Sequence, residues 1–229
     1  MQALRFEVDG GGVEVPVRQL VIAGWTGRDV AAVEHHIDEL AAIGVARPST
    51  TPLYYRVAHT LLTQSDEIDV LGSASSGECE PVLIRHQSQW WLTVGSDHTD
   101  RQLEAQSVAL SKQLCAKPLA RQAWRWNEVA ARADDLELGS QIFEDGRWMQ
   151  YQQGRLSQIR PLMSLVEGLS ARQPVADGLV LFCGTLAALP NVNGEAVRPA
   201  ERMKLMLHDT SAGRSIEHEY RVTVLQVVT

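Results

Sequence analysis

A chain of 229 residues can bury one sizeable core, and 45% hydrophobic with 21% charged residues excludes a disordered or fibrous chain. The net charge of −7 gives no electrostatic reason to approach nucleic acid or an anionic membrane. Cys79, Cys115 and Cys183 are odd in number and form no Cys-x-x-Cys pair, which argues against a disulfide framework or a zinc site.

Residues 3–8 and 19–23 read as opening strands. Arg5, Glu7 and Asp9 leave no apolar signal-peptide core, and no apolar run reaches the length of a membrane span, so a cytoplasmic location is expected. Over 29–43, Val30, Val33, Ile37 and Leu40 recur at helical spacing and Gly44 stands as a stop, which predicts an amphipathic helix. Two strand-like runs, 79–85 and 89–95, are followed by a polar helix over 100–114 and a Trp-rich one over 121–131. Trp90, Trp91, Trp124 and Trp126 are assigned to packing, because no basic patch accompanies them. A helix is predicted near 155–169 and strands over 179–183, 202–207 and 216–227; in the last, Ile216, His218, Tyr220, Val222 and Val224 share one face. No repeat or linker interrupts the chain, so 1–229 reads as a single domain, α+β and mostly β.

Glu78 and Glu80 are two apart on a predicted strand and so point to the same face. If the chain turns at Gln87-Ser88 as a two-residue hairpin, antiparallel pairing sets 86 against 89, 80 against 95 and 78 against 97. Asp97 then joins the two glutamates, with cross-strand Cβ atoms about 5 Å apart. Carboxylates that close need a neutralising cation, and an all-oxygen set favours Mg²⁺, Mn²⁺ or Ca²⁺ over zinc. Spacing alone equally fits a solvated Glu-x-Glu strand, and a one-residue slip would put Asp97 on the opposite face.

The segments, read in order, resemble the motif series of the fumarylacetoacetate hydrolase superfamily. Gly77-Glu-Cys-Glu-Pro-Val-Leu-Ile84 resembles its Glu-x-Glu strand, and Ser96-Asp-His-Thr-Asp-Arg101 resembles its Asn-Asp-x-Ser/Thr-x-Arg segment. Ser111-Lys-Gln113 resembles its Gly-Lys-Ser, and the run from Asp177 to Thr185 resembles the strand ending in Thr-Gly-Thr. His36-Ile-Asp-Glu39 has the His-x-x-Glu spacing of the family's lid helix, here expected within 29–44, and the helix face favours His36 over His35. Ser96, Ser111 and Leu186 depart from the family's Asn, Gly and Pro, and the overall wording resembles a divergent bacterial branch.

The resemblance implies a mixed β-sheet roll or sandwich of the superfamily's C-terminal-domain type with flanking helices, usually a homodimer. It implies a Mg²⁺- or Mn²⁺-dependent enzyme (Ca²⁺ as a further candidate) acting on a 2-oxo acid or related small carboxylate. The reaction would be C–C hydrolysis, decarboxylation, tautomerisation or dehydration through a metal-stabilised enolate. Glu78, Glu80 and Asp97 would hold the metal. His36, Glu39 and Lys112 would be catalytic, and Arg101, Lys112, Gly184 and Thr185 would bind substrate. Arg101 and Lys112, eleven residues apart, align on one face if a single helix carries both; a solvated charged face is the alternative. His98 and Asp100, close after Asp97 in the chain, would support that metal ligand. Lys117 is set aside, since the family has a small residue before its Pro. A non-catalytic member binding a small acid or a protein partner is the alternative function.

Overall fold

The computed structural model describes residues 2–8, 10–42 and 46–226, with the side chains of His36 and Leu40 outside the described set. A six-stranded mixed sheet runs in the spatial order Trp124–Arg125, Gln89–Ser96, Cys79–His86, Leu179–Phe182, Gln19–Gly24, Leu53–Val57. Its one parallel step joins Leu179–Phe182 to Gln19–Gly24. A five-stranded sheet follows the order Arg147–Arg155, Glu137–Glu144, Arg202–Asp209, Arg214–Leu225, Glu67–Leu71.

The six-stranded sheet is covered on both faces, which is why its central strands read as near-continuous apolar runs. Val21, Leu83, Leu92 and Leu181 pack with Leu138, Leu205 and Ile216 of the other sheet and with Leu162, Leu165 and Leu169 of the helix Leu162–Ser170. Leu20, Ile22, Val82, Ile84 and Phe182 pack against Leu4, Phe6 and Val15 of the hairpin Ala3–Val8 and Gly11–Pro16. In the strand Arg214–Leu225, Ile216, His218 and Tyr220 are buried as expected, while Val224 is 47% exposed. The amphipathic helix spans Val30–Ala42 and buries Ile37, but Val30 is 56% exposed, so the apolar stripe is narrower than its spacing suggests. Ile43, Gly44 and Val227, which bounded predicted elements, lie outside the described residues.

Two predicted helices are corrected. The polar one is two short helices, Arg101–Glu104 and Val108–Gln113, because the Ser107 side chain accepts from the Leu110 N–H and starts a new N-terminus. The Trp-rich segment begins as strand, with Trp124–Arg125 pairing to Leu92 and Trp91, and is helical only over Trp126–Val129 before a 3₁₀ segment, Ala130–Asp135. Pairing with a sheet edge overrode local helical propensity. No helix among the described residues is long and apolar enough to cross a membrane.

Candidate metal centre

The hairpin that carries the carboxylates has the expected register: His86 faces Gln89, Glu80 faces Gly95 and Cys79 faces Ser96. Gln87 and Ser88 both adopt positive φ, 49° and 62°, the conformation of a type I′ two-residue turn. Just beyond the paired strands the Asp97 N–H donates to the Glu78 carbonyl at 2.9 Å. Glu78, Glu80 and Asp97 therefore converge, with one carboxylate oxygen from each lying within 4.8 Å of the others. Glu80 and Asp97 are buried and Glu78 is partly exposed.

Each carboxylate has a different partner. Asp97 Oδ2 accepts from Lys112 Nζ, which also donates to Thr99 Oγ1 at 3.4 Å. Lys117 Nζ stands 3.3 Å from Asp97 Oδ1, so that buried oxygen is held by an ion pair in place of a well-formed hydrogen bond. Glu78 pairs with Arg101 at 3.1 Å, and Arg101 also donates to Ser76 at 2.7 Å and Glu104 at 3.0 Å. Among the described residues Glu80 has no ion pair, and its Oε2 accepts from the Gly184 N–H at 2.7 Å.

The electrostatics follow from these partners. Burial, together with the neighbouring Asp97 and Glu78, pushes the Glu80 carboxyl well above the usual carboxylate range, against the attraction of Lys112. Burial acts in the same direction on Asp97, but Lys112 and Lys117 prevail and hold it below its usual value. Burial alone would lower Lys112; Asp97, Glu78 and Glu80 outweigh it and hold the ammonium above the usual lysine value. A divalent cation would relieve what remains, namely an unpaired Glu80 charge crowded against Asp97 and Glu78. Because all three donors are hard carboxylate oxygens, the residues present fit such an ion.

The surrounding residues hold this geometry. Gly184 has φ +94°, and a Cβ there would collide with Thr26 Oγ1, so the close approach that brings its N–H to Glu80 requires glycine. Thr185 Oγ1 donates to the Cys79 carbonyl at 2.7 Å and accepts from Gln152 Nε2 at 2.6 Å. Its hydroxyl proton is therefore already committed within the protein. Gln152 Oε1 in turn accepts from the Cys79 N–H at 2.8 Å, tying the second sheet to the Glu-x-Glu strand. His98 is sandwiched between Ser75 at 2.9 Å and the Tyr220 hydroxyl at 2.7 Å, and burial lowers its pKa to about 3, so it is a neutral spacer. Asp100 caps the helix Arg101–Glu104 at the Leu103 N–H.

Arg101 and Lys112 reach the site from separate helices, so the single helical face expected to align them does not exist; the intervening turn brings both inward instead. On the helix Val30–Ala42, His35 Nε2 lies 3.3 Å from Glu39 Oε1, an exposed pair. The expected partner, His36, has its side chain outside the described residues. Sequence reasoning missed Gln152, and it set aside Lys117, whose Nζ sits against Asp97. A buried lysine beside Pro carries no local signal that would have found it. Cys79, Cys115 and Cys183 are buried and free.

A protein described as a fumarylpyruvate hydrolase from Burkholderia cenocepacia superimposes with a TM-score of 0.67 at 16% identity, covering 98% of this chain and 93% of that one. A 2-keto-3-deoxy-D-arabinonate dehydratase complexed with magnesium and 2,5-dioxopentanoate gives 0.58 at 14% identity, covering 90% and 74%. A protein described as a 2-hydroxyhepta-2,4-diene-1,7-dioate isomerase from Mycobacterium abscessus gives 0.59 at 13% identity, covering 91% and 76%. No curated protein matches the sequence. The family described as "Protein of unknown function (DUF2848)" matches residues 23–220. The fold is that of the fumarylacetoacetate hydrolase superfamily, and the chain belongs to the DUF2848 family.

Proposed function

We propose that this chain is a divalent-metal-dependent enzyme acting on a 2-oxo acid or related small carboxylate, by C–C hydrolysis, decarboxylation, tautomerisation or dehydration. The observation that carries this reading is the convergence of Glu78, Glu80 and Asp97, with two of the three carboxylates buried. Its support from outside the chain is the dehydratase of the same fold that holds magnesium with a dioxo acid. The ion, Mg²⁺ or Mn²⁺ with Ca²⁺ as a further candidate, supplies an electrophile for the carboxylate and 2-oxo oxygens of the substrate.

Lys112, held as a cation beside Asp97, stabilises negative charge on the substrate and does not remove protons. Arg101, engaged by Glu78, Ser76 and Glu104, orients Glu78 as well as adding positive charge for an anionic substrate. The Gly184 N–H fixes Glu80, and Thr185, whose hydroxyl proton goes to the Cys79 carbonyl, serves the substrate site by bracing the strand that carries Glu80. Proton movement falls to His36 oriented by Glu39.

The test is incubation of purified protein with Mg²⁺ or Mn²⁺ and a panel of acylpyruvates, oxaloacetate and 2-keto-3-deoxy sugar acids. Turnover that disappears with a chelator and in Glu80→Gln supports the reading. Absence of metal binding by calorimetry removes both the site and the enzyme.

A further inference from the structure

Lys117 plays no part in the chemistry above, yet it is fully buried on the two-residue strand Lys117–Pro118. Its Nζ donates to the carbonyls of His98 at 2.6 Å, Lys112 at 2.6 Å and Cys115 at 2.9 Å. A neutral amine has two N–H donors and an ammonium three, so three acceptors fix this group as a cation. No proton is left for Asp97 Oδ1, 3.3 Å away, while Lys112 holds Oδ2. Two ammonium groups thus face one carboxylate, and a third base, Arg101, faces Glu78. Glu104, its side chain 29% exposed, offsets part of the Arg101 charge from the outer side. A divalent cation drawn to Asp97 meets these positive charges in a buried site where repulsion is poorly screened.

Resting on the metal-site reading above, we infer that Lys117 makes retention of the divalent cation depend on an anionic ligand, and that the ligand class selected is a small dianion chelating through two oxygens. A 2-oxo acid becomes such a dianion once a base removes its C3 proton and leaves the enolate. Cation and ligand binding are then linked, each raising the affinity for the other by the same factor. Lys117 acts through Asp97 and the loop it pins, so it is a positioning and charge-setting residue.

The experiment is calorimetric titration of the full chain with Mn²⁺ alone, with oxalate, and with oxamate, which has nearly the same shape and a single charge, each corrected for complex formation in solution. Oxalate is expected to tighten Mn²⁺ binding by about 5- to 150-fold and oxamate by much less. Lys117→Gln, which keeps two N–H donors for the carbonyls, is expected to bind Mn²⁺ alone more tightly than the wild type and to gain less from oxalate. A lysine that only packs the loop gives the opposite result, weaker Mn²⁺ binding in the variant, and that overturns the inference. Equal enhancement of the wild type by oxalate and oxamate also overturns it, without need of a variant that folds. No Mn²⁺ binding under any condition overturns the metal site itself.

Discussion

The backbone N–H of Asp97 donates to the carbonyl of Glu78 at 2.9 Å, so the two acids are cross-strand neighbours just past the Cys79 to Ser96 pairing. That register depends on the turn at Gln87-Ser88, where both residues carry positive φ without being glycine. Replacing the pair with Asn-Gly is expected to stabilise the protein by about 1 kcal/mol, by relieving left-handed strain. For a chain of this size that is a rise in Tm of roughly 2–4 °C by calorimetry. Metal affinity should not change, and a fall in Tm would contradict the turn assignment.

Glu80→Gln is expected to raise the Tm of the metal-free protein at neutral pH while abolishing stabilisation by added Mg²⁺ or Mn²⁺. The Gln oxygen can still accept from the Gly184 N–H, and the unpaired buried charge is gone. The Glu80 pKa is raised above its usual value of 4.5, so the native state binds more protons than the unfolded chain as pH climbs past 4.5. Metal-free wild type should therefore lose stability relative to Glu80→Gln with rising pH. Melting curves at pH 5 and about pH 8 decide the matter, and a gap that narrows at the higher pH refutes it.

Asp97→Asn should behave in the opposite way, destabilising the protein with or without metal. It strands the buried ammonium groups of Lys112 and Lys117, at a cost of about 3–5 kcal/mol. Because the Asp97 pKa lies below its usual 3.8, the wild-type advantage should persist from neutral pH down to about 3.8 and shrink only as pH falls through the depressed native value. Urea midpoints across that range test it; a variant as stable as the wild type at pH 7 would show that the lysines do not depend on Asp97.

Gly184→Ala places a Cβ against Thr26 and demands φ +94° of an alanine. The expected result is a loss of about 1–3 kcal/mol together with weaker metal binding, because the N–H that fixes Glu80 is displaced. Paired denaturation and calorimetry measurements check both effects, and unchanged metal affinity would separate the loop from the site.

Once a substrate turns over, His36→Ala should lower kcat by about 10²–10⁴-fold with metal affinity unchanged. His35→Ala should do little, since it breaks an exposed pair with Glu39 worth about 0–1 kcal/mol. Equal effects on kcat would overturn the assignment of the proton-transfer role to His36.

Local patterns in the sequence carried much of this structure. Strand-like runs marked 79–85, 89–95 and 202–207, and two-residue spacing placed Glu78 and Glu80 on one face, because a pleated strand has a period of two wherever it sits. The hairpin Glu137–Glu144 and Arg147–Arg155 is also legible in Asp145-Gly146, a strong type I′ signal. Helix 100–114 failed because periodicity does not see Ser107 offering its side chain as a cap.

What the sequence by itself determined was the set of side chains that could gather: two glutamates on one face, and an aspartate opposite them if the turn had two residues. Only the tertiary structure decided their charge balance. Lys112 and Lys117 arrive at Asp97 from a helix and a short strand, Arg101 turns onto Glu78, and Gly184 closes on Glu80 from the loop after the strand Leu179–Phe182. Spacing reports what shares a face within one element, whereas the field at a buried carboxylate is the sum over every element packed around it.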